Sequence, residues 1–122
     1  MSLKTFVTSR IAAFGHAFRG WWHVLRTQHN AWIHSVFATV VILMGLWVGL
    51  KPLDWAVIVL TIAMVFTAEF INTAIEAVVD KVSPEFHELA GRAKDMGSAA
   101  VFLLLMMVVL SWALILGPRL LG

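Results

Sequence analysis

Three long apolar stretches limit what this chain can fold into. They cover residues 31–50, 53–79 and 96–116, and each reaches the roughly 20 residues that a helix needs to cross a hydrocarbon layer ~30 Å thick. Of the 122 residues, 61% are hydrophobic and 13% are charged, whereas a soluble domain carries about 25% charged residues. The sequence therefore predicts an all-α membrane protein, with three transmembrane helices in a single domain over residues 1–122.

An amphipathic segment precedes the first apolar stretch. Over residues 3–27, large apolar side chains recur every three or four positions, with basic and polar residues between them. This periodicity predicts a surface helix that lies in the membrane interface, with its aromatic face toward the acyl chains. A helix that packs against the spans would show the same periodicity, and the two arrangements are compatible.

Lysine and arginine lie mostly on one side of the predicted spans. Four lie within residues 1–27 and three within the loop 80–95, whereas Lys51 and Arg119 lie on the opposite side. Loops rich in lysine and arginine remain in the cytoplasm when a membrane protein inserts. The N-terminus and the loop 80–95 are therefore predicted to be cytoplasmic.

Polar side chains interrupt the second apolar stretch on one helix face. A spacing of three or four residues aligns them in one stripe, formed by Glu69, Asn72, Glu76 and Asp80. Carboxylates inside a membrane are costly, and by default they mark a functional site. Glu76 and Asp80 also have a plainer interpretation, because polar residues solvate the end of a membrane helix.

The depth of Glu69 separates it from the other residues of the stripe. A membrane helix that starts near Asp54 leaves the hydrocarbon after about 20 residues, so Glu69 lies about one turn inside the boundary. Three helices are not expected to screen a carboxylate from lipid on every side at this depth. The position of Glu69 therefore favours an oligomer.

The loop 80–95 carries the groups that a polyphosphate requires. Ser83-Pro84-Glu85 predicts the start of a short surface helix that leads into the third span. Arg92 and Lys94 lie beside acidic residues that could hold a metal ion. The pair Lys94 and Asp95 is equally typical of the interfacial start of a membrane helix.

The composition excludes several classes of protein. The chain has no cysteine, so it has neither disulfides nor thiolate metal sites. Its net charge of +2 is too small to indicate a nucleic-acid partner. It also lacks the G-x-x-x-x-G-K-S/T phosphate loop and the protein-kinase motifs, which excludes the common nucleotide-binding folds.

Two motifs in the second half of the chain carry a family resemblance. They are Glu69-Phe-Ile-Asn72-Thr-Ala-Ile-Glu76-Ala-Val-Val-Asp80 and His87-Glu-Leu-Ala-Gly-Arg-Ala-Lys94-Asp95-Met-Gly-Ser98. Together they resemble the prokaryotic diacylglycerol kinases, a family that includes the undecaprenol kinases. The resemblance runs from about residue 10 to the end of the third span, and its E-x-x-N-T-A-I-E-x-x-x-D core is highly specific. It implies a homotrimer in the bacterial inner membrane, whose shared active sites transfer phosphate from MgATP to a lipid hydroxyl.

The resemblance also implies roles for individual residues. Glu69 matches the family's proposed general base, and Glu76 matches a glutamate that binds Mg²⁺. Near the base and the lipid head group, the matching residues are Asn72 and Ser98. The positions that contact nucleotide are matched by Arg10, His16, Glu76, Glu85, His87, Lys94 and Asp95.

The chain departs from the family pattern at its N-terminal end. Gln28 occupies the position of a second metal-binding glutamate, and an amide oxygen can ligate Mg²⁺ but adds no charge. His16 replaces a usual tyrosine, and the spacing of Arg10 differs from the pattern by one residue. The second metal position therefore depends on an amide ligand.

Several alternatives remain open at the level of the sequence. Residues 87–100 look like the diacylglycerol branch of the family, whereas residues 30–34 look more like the polyprenol branch, so undecaprenol is the alternative substrate. A small ion-coupled transporter subunit would use Glu69 as a proton relay, although three spans without internal repeats and a charged loop disfavour it. A purely structural adaptor would leave Glu69 unexplained.

Overall fold

The computed structural model describes all 122 residues, and every regular element in it is an α-helix. In chain order the helices are α1 (Leu3–Thr27), α2 (His29–Val48), α3 (Pro52–Val82) and α4 (Glu88–Leu121). The last three are long and apolar enough to cross a membrane. The predicted all-helical fold with three candidate spans is thus confirmed, while the membrane position of α1 remains a prediction.

Local capping explains where the first helices begin and end. The Ser2 hydroxyl accepts a hydrogen bond from the Thr5 N–H at 3.2 Å, which starts α1. Gly49 ends α2 with a φ of 71°, a left-handed conformation that glycine adopts without a steric penalty. Pro52 follows at the first position of α3, where its missing N–H costs nothing. Residues 49–51 alone join α2 to α3, so the two helices run antiparallel.

The connection between α3 and α4 differs from the sequence prediction. No helix starts at Ser83, because this residue ends α3 and its hydroxyl donates to the Glu85 carbonyl at 3.0 Å. α4 begins instead at Glu88, where Nδ1 of His87 accepts a hydrogen bond from the Leu89 N–H at 3.1 Å. Within the predicted loop 80–95, only residues 83–87 are non-helical. The polar residues 88–95 form the first turns of a helix that continues into the third apolar stretch.

Apolar side chains hold the three long helices together where α2 meets α3. Val41, Leu50, Ile58 and Leu116 form the buried cluster at this end. Gly45 of α2 packs beneath the ring of Trp55, and a Cβ atom at position 45 would lie only 2.8 Å from that ring. This end of the bundle is therefore well packed and carries no candidate site residue.

Polar contacts between α3 and α4 set the antiparallel register of the two helices. Nε1 of Trp112 donates to Oγ1 of Thr61 at 2.8 Å, in the middle of the bundle. Arg119 pairs with Asp54 at 3.4 Å, at the end where α3 starts. This register brings the first turns of α4 beside the last turns of α3, which carry the polar stripe.

α1 packs against α2 and α3 but not against α4. Its large apolar side chains are mostly exposed, among them Ile11, Phe14 and Phe18. Trp21 is a point of attachment, because its ring packs against Phe66 and Phe70 of α3 at centroid distances of 6.5 and 5.9 Å. α1 thus reaches the part of α3 that carries the candidate site.

Candidate active site

Glu69 is the one buried charged residue of the chain, and 2% of its surface is exposed. His34 of α2 lies across it, with 3.4 Å between His34 Nε2 and Glu69 Oε2. Phe66, one turn earlier on α3, packs edge-on against the His34 ring at a centroid distance of 6.4 Å. The expectation that a single chain cannot screen Glu69 from lipid is therefore wrong, because α2 supplies a partner that covers the carboxylate.

Asn72 and Glu76 form the next level of the stripe. Nδ2 of Asn72 donates to Oε1 of Glu76 at 3.3 Å, and both side chains are half-buried. Oδ1 of Asn72 is buried without a hydrogen-bond partner, and it lies against the backbone of Gly97 in α4. A Cβ atom at position 97 would collide with this oxygen, so the Asn72 amide keeps its present position only with glycine there.

Asp80 and Lys94 form the exposed end of the stripe. Their side chains make an ion pair between α3 and α4, with 62% and 40% of each exposed to solvent. Exposed ion pairs stabilise a fold weakly. Lys94 is therefore free to exchange its partner for another anion at little cost.

The remaining candidate residues lie elsewhere on the surface of the chain. Arg10, His16, Glu85 and His87 make no hydrogen bond or ion pair with the stripe, and Asp95 and Ser98 are exposed on α4. Arg10 stacks over the Phe6 ring at 5.6 Å, and His16 bonds Arg19 through Nδ1. One chain thus brings together the acidic stripe and Lys94, but not Arg10, His16, Glu85 and His87, which were also predicted to contact nucleotide.

The potential metal ligands are dispersed in the same way. Gln28 lies at the junction of α1 and α2, where its amide nitrogen is 3.5 Å from Oγ1 of Thr27. No three of the chain's histidine and acidic side chains lie close enough together to hold a metal ion.

His34 is the site residue that the sequence analysis did not identify. Its signal was present, because an ionisable residue inside an apolar stretch marks a functional site by default and usually has a partner. Nothing in the sequence pairs two residues that are 35 positions apart on different helices. Only the packing of α2 on α3 does so.

These features define a helical membrane protein with a buried acidic site near one end of its bundle. The model of the prokaryotic diacylglycerol kinase family matches residues 15–116, and the chain belongs to this family. The predicted resemblance is thus confirmed, and the chain is a lipid kinase that uses ATP. The transporter and adaptor alternatives gain no support from this match.

Individual relatives cover most of the chain. The diacylglycerol kinase of Escherichia coli is 34% identical in an alignment of 116 residues that covers 89% of each chain. The undecaprenol kinase of Bacillus subtilis is 37% identical over 108 residues, or 88% of each chain. The diacylglycerol kinase of Pseudomonas aeruginosa is 39% identical over 106 residues, covering 87% of this chain and 80% of the relative.

Proposed function

We propose that this protein transfers the γ-phosphoryl group of ATP to the hydroxyl of diacylglycerol, which yields phosphatidic acid and ADP. The observation that most supports this proposal is the polar stripe on α3. It runs from the buried Glu69 to Asp80, which forms an exposed ion pair with Lys94. Seven residues of helix separate Glu69 from Glu76, a rise of roughly 10 Å. This span suits an acceptor hydroxyl held within the lipid layer and phosphates held at its wet edge.

Glu69 acts as the general base in this proposal. Its carboxylate takes the proton of the lipid hydroxyl while the hydroxyl oxygen attacks the γ-phosphorus and ADP leaves. Phosphoryl transfer requires positioning and neutralisation of charge more than covalent catalysis. Lys94 supplies positive charge to the phosphates by exchanging Asp80 for them. Asn72 and Ser98 are proposed to position the lipid head group, and Asp95 is proposed to contact nucleotide.

Glu76 is the proposed ligand for Mg²⁺. Mg²⁺ in kinase sites takes one or two carboxylates and completes its coordination with phosphates and water, so a single chain need not supply three ligands. Asn72 engages one of the two carboxylate oxygens of Glu76, which leaves the other for a metal. When bound, the ion would neutralise charge on the β- and γ-phosphates. Gln28 is the proposed second ligand, through its amide oxygen.

We further propose a homotrimer in the bacterial inner membrane, with the stripe on the cytoplasmic side. The orientation rests on the excess of lysine and arginine at this end of the bundle. The trimer accounts for the separation of Arg10, His16, Glu85 and His87 from the stripe, because a neighbouring chain could present them to it. The family resemblance supports the same assembly.

Undecaprenol is the second candidate substrate. The relatives include an enzyme named undecaprenol kinase, with coverage as high as that of the diacylglycerol kinases. Residues 30–34 also favour the polyprenol branch. Both lipids would present a primary hydroxyl to Glu69.

A comparison of the two lipids tests the proposal. Purified protein in detergent micelles would be given radiolabelled ATP with diacylglycerol or with undecaprenol at equal mole fractions. We expect kcat/KM to be at least tenfold higher for diacylglycerol, which corresponds to about 1.4 kcal/mol of transition-state stabilisation. A preference for undecaprenol would transfer the assignment to that lipid, and incorporation into neither would refute both substrates.

A further inference from the structure

His34 has no part in the mechanism proposed above, yet it is the polar neighbour of Glu69. It lies on α2, within the apolar stretch 31–50, and its side chain is 9% exposed. His34 Nε2 and Glu69 Oε2 are both buried, and neither has another partner. Buried polar groups almost always have a hydrogen-bond partner, and in a membrane the cost of leaving one unpaired is high. These two unpaired atoms lie 3.4 Å apart, so each is within reach of the other as the partner that it lacks.

The orientation of the carboxylate follows from this contact. Of the two carboxylate oxygens, only Oε2 is enclosed without a hydrogen-bond partner, and it faces the imidazole. Oε1 therefore remains for a substrate hydroxyl. Phe66 restrains the imidazole ring edge-on and is itself packed against Trp21 of α1. Three helices thus contribute to the direction in which the Glu69 carboxylate points.

We propose that His34 is a positioning residue for the general base. Its Nε2–H donates to Oε2 of Glu69, which holds the carboxylate with Oε1 toward the acceptor hydroxyl. A hydrogen bond to a charged acceptor in a dry site is strong enough to select one rotamer of the carboxylate. The inference rests on the proposed role of Glu69, because a positioned residue matters only if the group that it positions reacts.

Two substitutions at position 34 separate positioning from support of the fold. His34→Phe keeps a ring but removes the N–H donor, whereas His34→Gln restores an N–H donor at a similar reach. Ser35→Ala is the matched control, because the neighbouring Ser35 hydroxyl bonds only within α2, to the Ala31 carbonyl at 2.7 Å. Turnover, KM for ATP and for diacylglycerol, and thermal unfolding would be measured for all three variants.

The positioning role predicts a specific pattern of kinetic changes. In His34→Phe, kcat should fall about tenfold or more while both KM values change by less than about twofold, because the hydrogen bond orients a group that acts in the transition state. His34→Gln should recover most of the loss, and Ser35→Ala should match wild type. An unchanged kcat in His34→Phe would overturn the inference. The inference would also be overturned if His34→Gln lost as much activity as His34→Phe and the loss were accompanied by a lower Tm.

A double variant tests whether His34 acts through Glu69. If it does, adding His34→Phe to Glu69→Gln should cause no further loss of turnover, whereas independent effects would multiply. Multiplied losses would overturn the inference. Retention of activity in Glu69→Gln itself would instead refute the general base, so the two failures are distinguishable.

The tautomer of His34 can be measured on the wild-type protein. This test therefore does not require that a variant at position 34 folds. Wild-type protein with ¹⁵N-labelled histidine, in micelles, should show a His34 ring that carries a proton on Nε2. The resonance can be assigned by comparison with single substitutions of the other four histidines. A His34 ring without a proton on Nε2 could not donate to Glu69, and this result would overturn the proposal.

Discussion

The Glu69 carboxylate faces His34 of α2, with 3.4 Å between Glu69 Oε2 and His34 Nε2. A carboxylate that is removed from water interacts more strongly with each remaining dipole, because the local dielectric is low. The next polar group along α3, Asn72, bonds Glu76 instead of Glu69. Glu69, the Asn72–Glu76 pair and Asp80 therefore have different neighbours, and this division makes their roles separable by single substitutions.

Glu69→Gln should nearly abolish turnover while the protein remains folded and still binds ATP. The substitution preserves the size of the side chain but removes the group that accepts the hydroxyl proton. A positioned base contributes about 10²–10⁴-fold to the rate, so we expect a loss in that range. Turnover would be compared with ATP binding, measured by calorimetry on the same preparations. Retention of more than about a tenth of the wild-type rate would remove Glu69 from the role of base.

Glu76→Ala should raise the concentration of Mg²⁺ needed for half-maximal activity. The substitution removes the carboxylate that is proposed to bind the ion, and Mg²⁺ strongly prefers a carboxylate ligand. A titration of activity with Mg²⁺ at saturating ATP checks this expectation. Glu76→Gln is the matched variant, because it keeps the hydrogen-bond acceptor for Asn72 without the charge. Titration curves that overlay the wild-type curve would show that the metal assignment is incorrect.

The position of the Asn72 amide between α3 and α4 depends on a glycine in α4. Gly97 lies opposite Asn72, where any side chain would collide with the amide oxygen. α4 reaches this position as one continuous helix from Glu88, so its first turns are a rigid extension of the third span. The register that pairs Trp112 with Thr61 therefore also places Lys94 beside Asp80.

Gly97→Ala should reduce turnover without unfolding the protein. The added Cβ atom displaces the short Asn72 side chain and breaks its hydrogen bond to Glu76, so we expect turnover to fall about tenfold, as a small misplacement of catalytic groups can cause. Gly20→Ala in α1 is the control, because a Cβ atom there meets nothing within 4 Å. That control should gain roughly 0.5–1 kcal/mol of helix stability. Equal kinetics for Gly97→Ala and wild type would show that Asn72 adjusts without functional cost.

The whole chain buries few of its side chains, with 13 of 122 residues buried. Most large apolar residues of α2, α3 and α4 face outward, where lipid or another copy of the chain would cover them. In lipid, apolar burial does not drive helix association, so packing and polar contacts must hold such a bundle together. Arg10, His16, Glu85 and His87 lie apart from the stripe within one chain, and assembly with other chains can bring them to it.

The assembled protein should contain three chains and share its active sites between them. Light scattering of the protein in micelles should give the mass of a trimer after subtraction of the detergent. Trimers reassembled from a mixture of Glu69→Gln and Arg10→Ala chains should recover activity that neither variant has alone, because a site can then combine an intact residue from each chain. A monomeric mass, or the absence of recovery from the mixture, would contradict the shared site.

The sequence by itself determined the three apolar helices, the polar stripe on α3 and the family. Hydropathy, a spacing of three or four residues and a contiguous motif are all properties of local sequence, so they can be recognised before the chain folds. The start of α4 was less predictable. Ser83 has the residue type of a helix cap, but its hydroxyl bonds Glu85 and the helix begins at Glu88. A serine side chain can form either kind of local hydrogen bond, so its residue type alone does not locate the helix start.

Only the tertiary structure decided how Glu69 is buried. The sequence predicted a carboxylate that one chain would leave facing lipid, and the packing of α2 on α3 brings His34 against it instead. The contact between Gly97 and Asn72 could not be predicted from the sequence either, since it depends on the distance between α3 and α4. Contacts between distant parts of the chain depend on how whole helices pack, and the periodicity of one helix carries no information about which residue of another helix will face it.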